Sequence, residues 1–276
     1  MVELGIVDIR EIVRLINSNY GYDFSIFALT SMKYRLEHII AKNNLPNPEG
    51  LFRKLSDQPD FFDVFLNQLT VPSTEMFRDP SVWRWLRENY FNNLDDRQLS
   101  NFKIWLPYTV SGGELFTLTV FLKELNLLDK VKIYATCASD TSIEQIRSGE
   151  YPLKKIEVSV ENYKRFQGDA ELTDFYSEEK YSVIRDTSLI KNVEFIKDDF
   201  NYNNAPKNVR LIIMRNALIY FTPAHQEKLM KIMHETLSAN GTLVLGLKEL
   251  IRTNSNSPVL FDPLNQNESI YKKRLV

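Results

Sequence analysis

The chain has 276 residues, 43% of them hydrophobic and 25% charged, an ordinary globular make-up with enough apolar side chains for a sizeable core. Lys and Arg total 34 against 36 Asp and Glu, a net charge of -2, which argues against a broad basic surface for nucleic acid. No apolar run approaches the ~18 residues that span a bilayer. The first residues carry acids where a secretion signal carries bases. The lone Cys137 and three scattered histidines leave neither a disulfide nor a zinc site to expect. The expectation is a cytoplasmic protein that does not insert into membranes.

The first seventy or so residues read as helices. Ile9, Ile12, Val13 and Ile16 recur at helical spacing, and Asn19 with Gly21 closes that segment. Ser25 is placed to cap a second helix whose apolar side holds Phe27, Leu29, Met32, Leu36, Ile39 and Ile40. Two shorter helices over 48–56 and 59–69 each begin near a proline, and no strand is expected before residue 100. Beyond it, short apolar runs at 104–110, 131–138, 193–199, 209–216 and 241–247 alternate with helical stretches. Nearly continuous runs of this kind are strands covered on both faces of a largely parallel sheet. A helix opens with Pro223, runs to Ala239 and is closed by Asn240-Gly241. Residues 150–192 are polar, tyrosine-rich and longer than a simple crossover, so a small inserted subdomain is expected there. The architecture is a helical N-terminal domain joined, within 70–80, to a nucleotide-type α/β domain.

In an open parallel sheet, ligands sit at the carboxyl ends of the strands near the point where strand order reverses. Four positions answer to that rule. The loop Ser111-Gly112-Gly113-Glu114 lets backbone pass close to a ligand and offers helix N-terminal amides to an anion, although a glycine pair before a helix is more often only a turn. After the second run, where a ribose-binding acid belongs, stands Cys137-Ala138-Ser139-Asp140, its acid late. Asp198-Asp199 follows the third run, either facing an adenine or solvated as ordinary loop acids. Arg215 and Asn216 directly follow a buried run, which costs desolvation energy unless they are paired, and so point to a site.

Taken together, LTVPSTEMFRDPSVWRWL (69–86), the SGGE loop, IRSGEYPL (146–153), MRNALIYF (214–221), GTLVLGLKE (241–249) and the late IYKKRL resemble the CheR family of chemotaxis protein-glutamate O-methyltransferases. The likeness covers almost the whole chain in order and spacing. It implies a mostly parallel Rossmann-like methyltransferase sheet (73–276) behind a helical N-terminal domain (1–72), with 150–192 as the small subdomain. The cofactor implied is S-adenosyl-L-methionine, leaving S-adenosyl-L-homocysteine, and the partner a chemoreceptor-like or other signalling protein. By the same resemblance Thr74, Ser111, Gly112, Glu114, Asp199, Arg215 and Asn216 bind the cofactor. Arg78 orients the substrate carboxylate, and Tyr220 fixes the reacting group by a hydrogen bond. Trp83 and Trp85 read as packing residues. Such a reaction asks for positioning more than for acid–base help, because a glutamate with a reference pKa near ~4.3 is already an anion at neutral pH.

The sequence also departs from the family pattern. Pro72 replaces an asparagine, Tyr108 stands where small residues are usual, Gly113 replaces the first of two glutamates, and Cys137 takes the place of the ribose-binding acid. Losing that one charged contact is worth ~1.5–3 kcal/mol, about ten- to a hundredfold in affinity. The family's activity is therefore one expectation, and a catalytically silent CheR-like partner-binding module the other. A methyltransferase for another acidic substrate is a third. Lys33, Arg35 and His38 on the second helix form a thin basic patch, interrupted by Glu37, which reads more readily as a solvated face than as the basic docking face that the resemblance implies.

Overall fold

The computed structural model describes residues 3–69, 74–251 and 258–275, so Pro72 and part of the expected junction lie outside the described residues. Helix α1 (Ile6–Tyr20) buries Ile9, Ile12 and Ile16 and stops at Gly21, whose φ of 75° is left-handed. Helix α2 (Leu29–Lys42) starts later than Ser25 would place it. Residues Phe24–Ile26 form a 3-10 turn capped by Asp23 instead, and Phe27 leaves the helical path to bridge to Phe221 with rings 4.8 Å apart. An aromatic contact across the molecule thus overrides a local cap. Helices α3 (Pro48–Asp57) and α4 (Phe61–Leu69) complete the helical domain. Short helices α5 (Pro80–Trp85) and α6 (Asp96–Leu99) lead into the sheet.

The main sheet has seven strands in the order β6-β2-β1-β7-β8-β10-β9. Its parallel part is β1 (Lys103–Leu106), β2 (Lys132–Cys137), β6 (Glu194–Lys197), β7 (Val209–Met214) and β8 (Leu237–Leu245). Between them run α7 (Gly113–Glu124), α8 (Asp140–Arg147), α9 (Leu153–Phe166) and α10 (Pro223–Thr236). A C-terminal hairpin, β9 (Phe261–Asn265) and β10 (Ile270–Lys273), adds two antiparallel strands that no continuous apolar run in the sequence announces. Within 150–192, β3 (Glu150–Pro152), β4 (Tyr176–Glu178) and β5 (Ser182–Arg185) form a separate three-stranded antiparallel sheet. Helix α10 ends at Thr236, before the expected stop, and Asn240-Gly241 belong to β8, whose register against β7 shifts between Val209 and Leu211.

The order reverses between β1 and β7, so the loops after these two strands open onto a common crevice. One apolar cluster joins the helical domain to a sheet face through Phe24, Phe27, Trp105, Phe200 and Phe221. A second, with Trp83, Phe121 and Phe166, packs the opposite face.

Candidate functional site

The crevice is built from three backbone segments that hold one another. Gly112, left-handed at φ 74°, turns the chain after β1 into α7. Gly113 follows with no room for a side chain, since a Cβ there would lie 2.7 Å from the Thr74 hydroxyl and closer still to its carbonyl. A glutamate at 113, which the family resemblance would set there, has no room beside the Thr74 backbone in this structure. Thr74 N–H donates to the Ser111 hydroxyl at 3.2 Å, and the Tyr151 hydroxyl donates to the Thr74 carbonyl. Arg185, on β5 of the small sheet, is buried between the Phe116 and Tyr151 rings and donates to the Ser111 carbonyl at 3.1 Å. The small sheet therefore braces the loop at the mouth of α7.

From the other side comes the segment after β7. Arg215 has a fully buried side chain and forks to two carboxylates, Glu114 at 2.8 Å and Asp79 at 2.7 Å. Burial alone would lower its pKa; Glu114, Asp79 and Glu249 together hold it above the ordinary value. Asn216 is left-handed, φ 56°, and its N–H donates to the buried Glu249 carboxylate at 2.8 Å, which also accepts from Gly246 N–H at 2.7 Å. Burial raises the Glu249 pKa, and those backbone N–H groups oppose the rise. Tyr220 ends the turn that this carboxylate pins.

Thr74, Arg78, Ser111, Gly112, Glu114, Arg215, Asn216 and Tyr220 all line one cavity of about 50 Å³. Arg78 is 38% exposed and, among the described residues, has one long ion pair, to Glu75 at 3.8 Å, so its charge is more open to an incoming anion than that of Arg215, which two carboxylates already match. Asp199 does not line this cavity; its carboxylate is turned onto Asn201, 3.2 Å from the backbone N–H and 2.9 Å from the amide nitrogen.

Beyond Tyr108, on the side where the family resemblance sets the nucleoside, little space is left. The space bounded by Tyr108, Cys137, Ala138, Asp198 and Phe200 is about 10 Å³, room for about one water. Burial pushes the Cys137 thiol up to about 12, so it stays neutral and is no substitute for a ribose-binding carboxylate. Asp198 accepts from Tyr202 N–H at 2.8 Å, and Asp140 points away to Lys197 at 2.6 Å. The residues present fit the amino-acid end of S-adenosylmethionine, with Glu114 and Thr74 at hand, and do not fit its nucleoside end.

Two participants, Asp79 and Glu249, have no counterpart in the sequence reading, and a third, Arg35, is expected there only as part of a basic patch. Arg35 is buried, donates to the Leu69 carbonyl at 2.7 Å and stacks 4.2 Å from the Tyr220 ring centre. The expected basic patch on α2 is accordingly broken up, since Lys33 is also matched by Glu3 at 3.0 Å. Among the described residues no group of His, Cys, Asp and Glu could hold a metal ion, and no helix is long and apolar enough to cross a membrane.

A reversed-order parallel sheet, with an acid and an arginine at the ends of its central strands and a braced glycine loop, is the frame of the Rossmann-like methyltransferases. Comparison with known proteins carries this to a family. Residues 72–265 match the CheR methyltransferase SAM binding domain and residues 7–70 the CheR methyltransferase all-alpha domain, so the chain belongs to the CheR methyltransferase family. It is 29% identical over 267 residues to a candidate methyltransferase, Cher3, of Pseudomonas putida, with 97% of each chain covered. To a chemotaxis protein methyltransferase of Listeria monocytogenes it is 24% identical, covering 86% of this chain and 88% of that one. Among solved structures, PKMT2 of Rickettsia typhi in complex with AdoHcy is similar at 14% identity and a TM-score of 0.37, over 63% of this chain and 26% of that one. At those values the likeness says nothing further about this chain.

Proposed function

We propose that this protein recognises glutamate side chains of a chemoreceptor-like partner, in the manner of a CheR-type protein-glutamate O-methyltransferase, with residues 1–72 as its docking domain and 73–276 as its site-bearing domain in the cytoplasm. One observation carries the reading: Arg78, 38% exposed and paired only loosely with Glu75 among the described residues, and Tyr220 line a single cleft beside the closed Arg215–Glu114–Asp79 network. A bidentate contact from the Arg78 guanidinium suits a carboxylate, and the Tyr220 hydroxyl supplies a second donor. Supporting a protein partner, an apolar groove of about 520 Å³ between α1, α2 and the start of α10 is floored by Phe24, Phe27 and Met32. Arg10 and Arg14 stand on its rim and make no ion pair among the described residues.

A second reading, a catalytically silent partner-binding module, is favoured by the filled nucleoside end. Incubation with glutamate-bearing receptor fragments and S-adenosylmethionine, read by mass spectrometry and paired with fragment binding by calorimetry, tests both. Binding that is lost in Arg78→Ala supports the proposed recognition, and methyl incorporation selects the active form. Fragment binding indifferent to Arg78 sinks the reading.

A further inference from the structure

The closure of the nucleoside end has a specific cause. Tyr108, Thr109 and Val110 line both the open cavity and the 10 Å³ remnant behind it, and of these three Tyr108 alone brings a large ring to the boundary. Its ring centre lies 5.7 Å from that of Phe200 and 6.1 Å from that of Phe221. Phe200 has a left-handed φ of 70°, a conformation that bulky residues rarely adopt and that persists only where surrounding contacts impose it. The imposing contacts come from the helical domain, where the Phe24 and Phe27 rings lie 6.4 and 5.4 Å from Phe200. Arg35 covers Tyr220 from the same side, and its charge bears on the Tyr108 hydroxyl. Tyr22 adds a hydrogen bond to the Ala138 carbonyl at 3.2 Å, on the seat's far wall.

We propose that Tyr108, wedged against Phe200 and backed by Arg35, plugs the nucleoside half of an inherited cofactor cleft, so that this chain carries a CheR site shut by its own side chains. The inference rests on the reading of the cleft given above and adds what determines its occupancy. Because the backing residues belong to α2 and the turn before it, the helical domain is part of the plug and not only a docking surface.

Calorimetric titration with S-adenosylhomocysteine tests this on the full chain. Wild type and Tyr108→Phe, which keeps the ring, are expected to give no saturable binding below millimolar. Tyr108→Gly combined with Cys137→Asp, which opens the seat and restores an acid to it, is expected to bind at least tenfold tighter than wild type. Phe200→Ala opens the seat from the opposite wall and gives the same answer should the first variant prove unstable by thermal melting. Micromolar binding by wild type overturns the plug and leaves the proposed glutamate recognition standing. Failure of every folded opening variant to gain tenfold also overturns it. An opened variant that binds the ligand yet methylates no receptor fragment upholds the plug and counts against the transferase.

Discussion

Replacing Arg215 by methionine asks whether the charge balance of the cleft is what ties its three segments together. The guanidinium joins Asp79, at the start of α5, to Glu114, on the first turn of α7, from the end of β7. Methionine keeps most of the volume and removes the charge, leaving those two carboxylates facing each other near the buried Glu249. Removing one partner of a buried ion pair costs about 3–5 kcal/mol. Asp79 and Glu114 are 27% and 19% exposed, so water recovers part of that cost, and the lower end, about 3 kcal/mol, is expected. Lysine restores the charge without the planar fork that serves two acids, so Arg215→Lys is expected to lose one charged hydrogen bond, about 1.5 kcal/mol. Urea denaturation followed by tryptophan fluorescence reads both, Trp83 lying 5.9 Å from the guanidinium. Adding Glu114→Gln to Arg215→Met should return at least about 1 kcal/mol, because the like-charge contact goes with it. A loss below about 1 kcal/mol in Arg215→Met, or strict additivity in the double variant, refutes the argument.

Gly113→Ala is expected to destabilise the fold by about 1–3 kcal/mol, since its methyl group must displace the Thr74 backbone; an unchanged denaturation midpoint would show that this crossing yields freely. His225, buried beneath Phe221 at 5.0 Å, has its pKa lowered from 6.5 to about 4, chiefly by burial and further by Lys228. A depressed folded-state value means the fold binds fewer protons than the unfolded chain, so stability is full above pH 6.5 and falls as pH drops toward about 4. The loss across that window is on the order of 3 kcal/mol, and His225→Phe should flatten it. Equal pH dependence in wild type and His225→Phe would place the titration elsewhere.

What the sequence makes legible follows from how each element is covered. Parallel strands are buried on both faces, so β1, β2, β7 and the later part of β8 stand out as continuous apolar runs. The antiparallel hairpin at the end has no such run. Strand β9 is FDPLN, with Asp262 half-buried and Pro263 exposed, and a proline on an edge strand reads as a turn. Ser25 and Asn240-Gly241 mislead for a different reason: both are sound local signals for a cap and a stop, overruled by the Phe27–Phe221 contact in one case and by the irregular pairing of β8 in the other.

The cleft divides along the same line. Ser111, Glu114, Arg215 and Asn216 are found by position alone, because strand ends at an order reversal converge whatever the side chains are. Asp79 and Glu249 act from outside those strand ends, and nothing in their spacing announces that they meet Arg215 and Asn216. Arg35 was within reach. It falls between Met32 and Leu36 and four residues before Ile39, inside the apolar stripe of α2, whereas a solvated basic patch belongs on the opposite face. A guanidinium in such a stripe requires a counterpart in the interior, and the aromatic rings of Tyr220 and Phe27, 4.2 and 5.5 Å away, supply it. Tyr108, which the family resemblance sets where a small residue is usual, then ceases to be an isolated substitution: Tyr108 and Arg35 are two halves of one packing solution, the one on which the proposed plug rests.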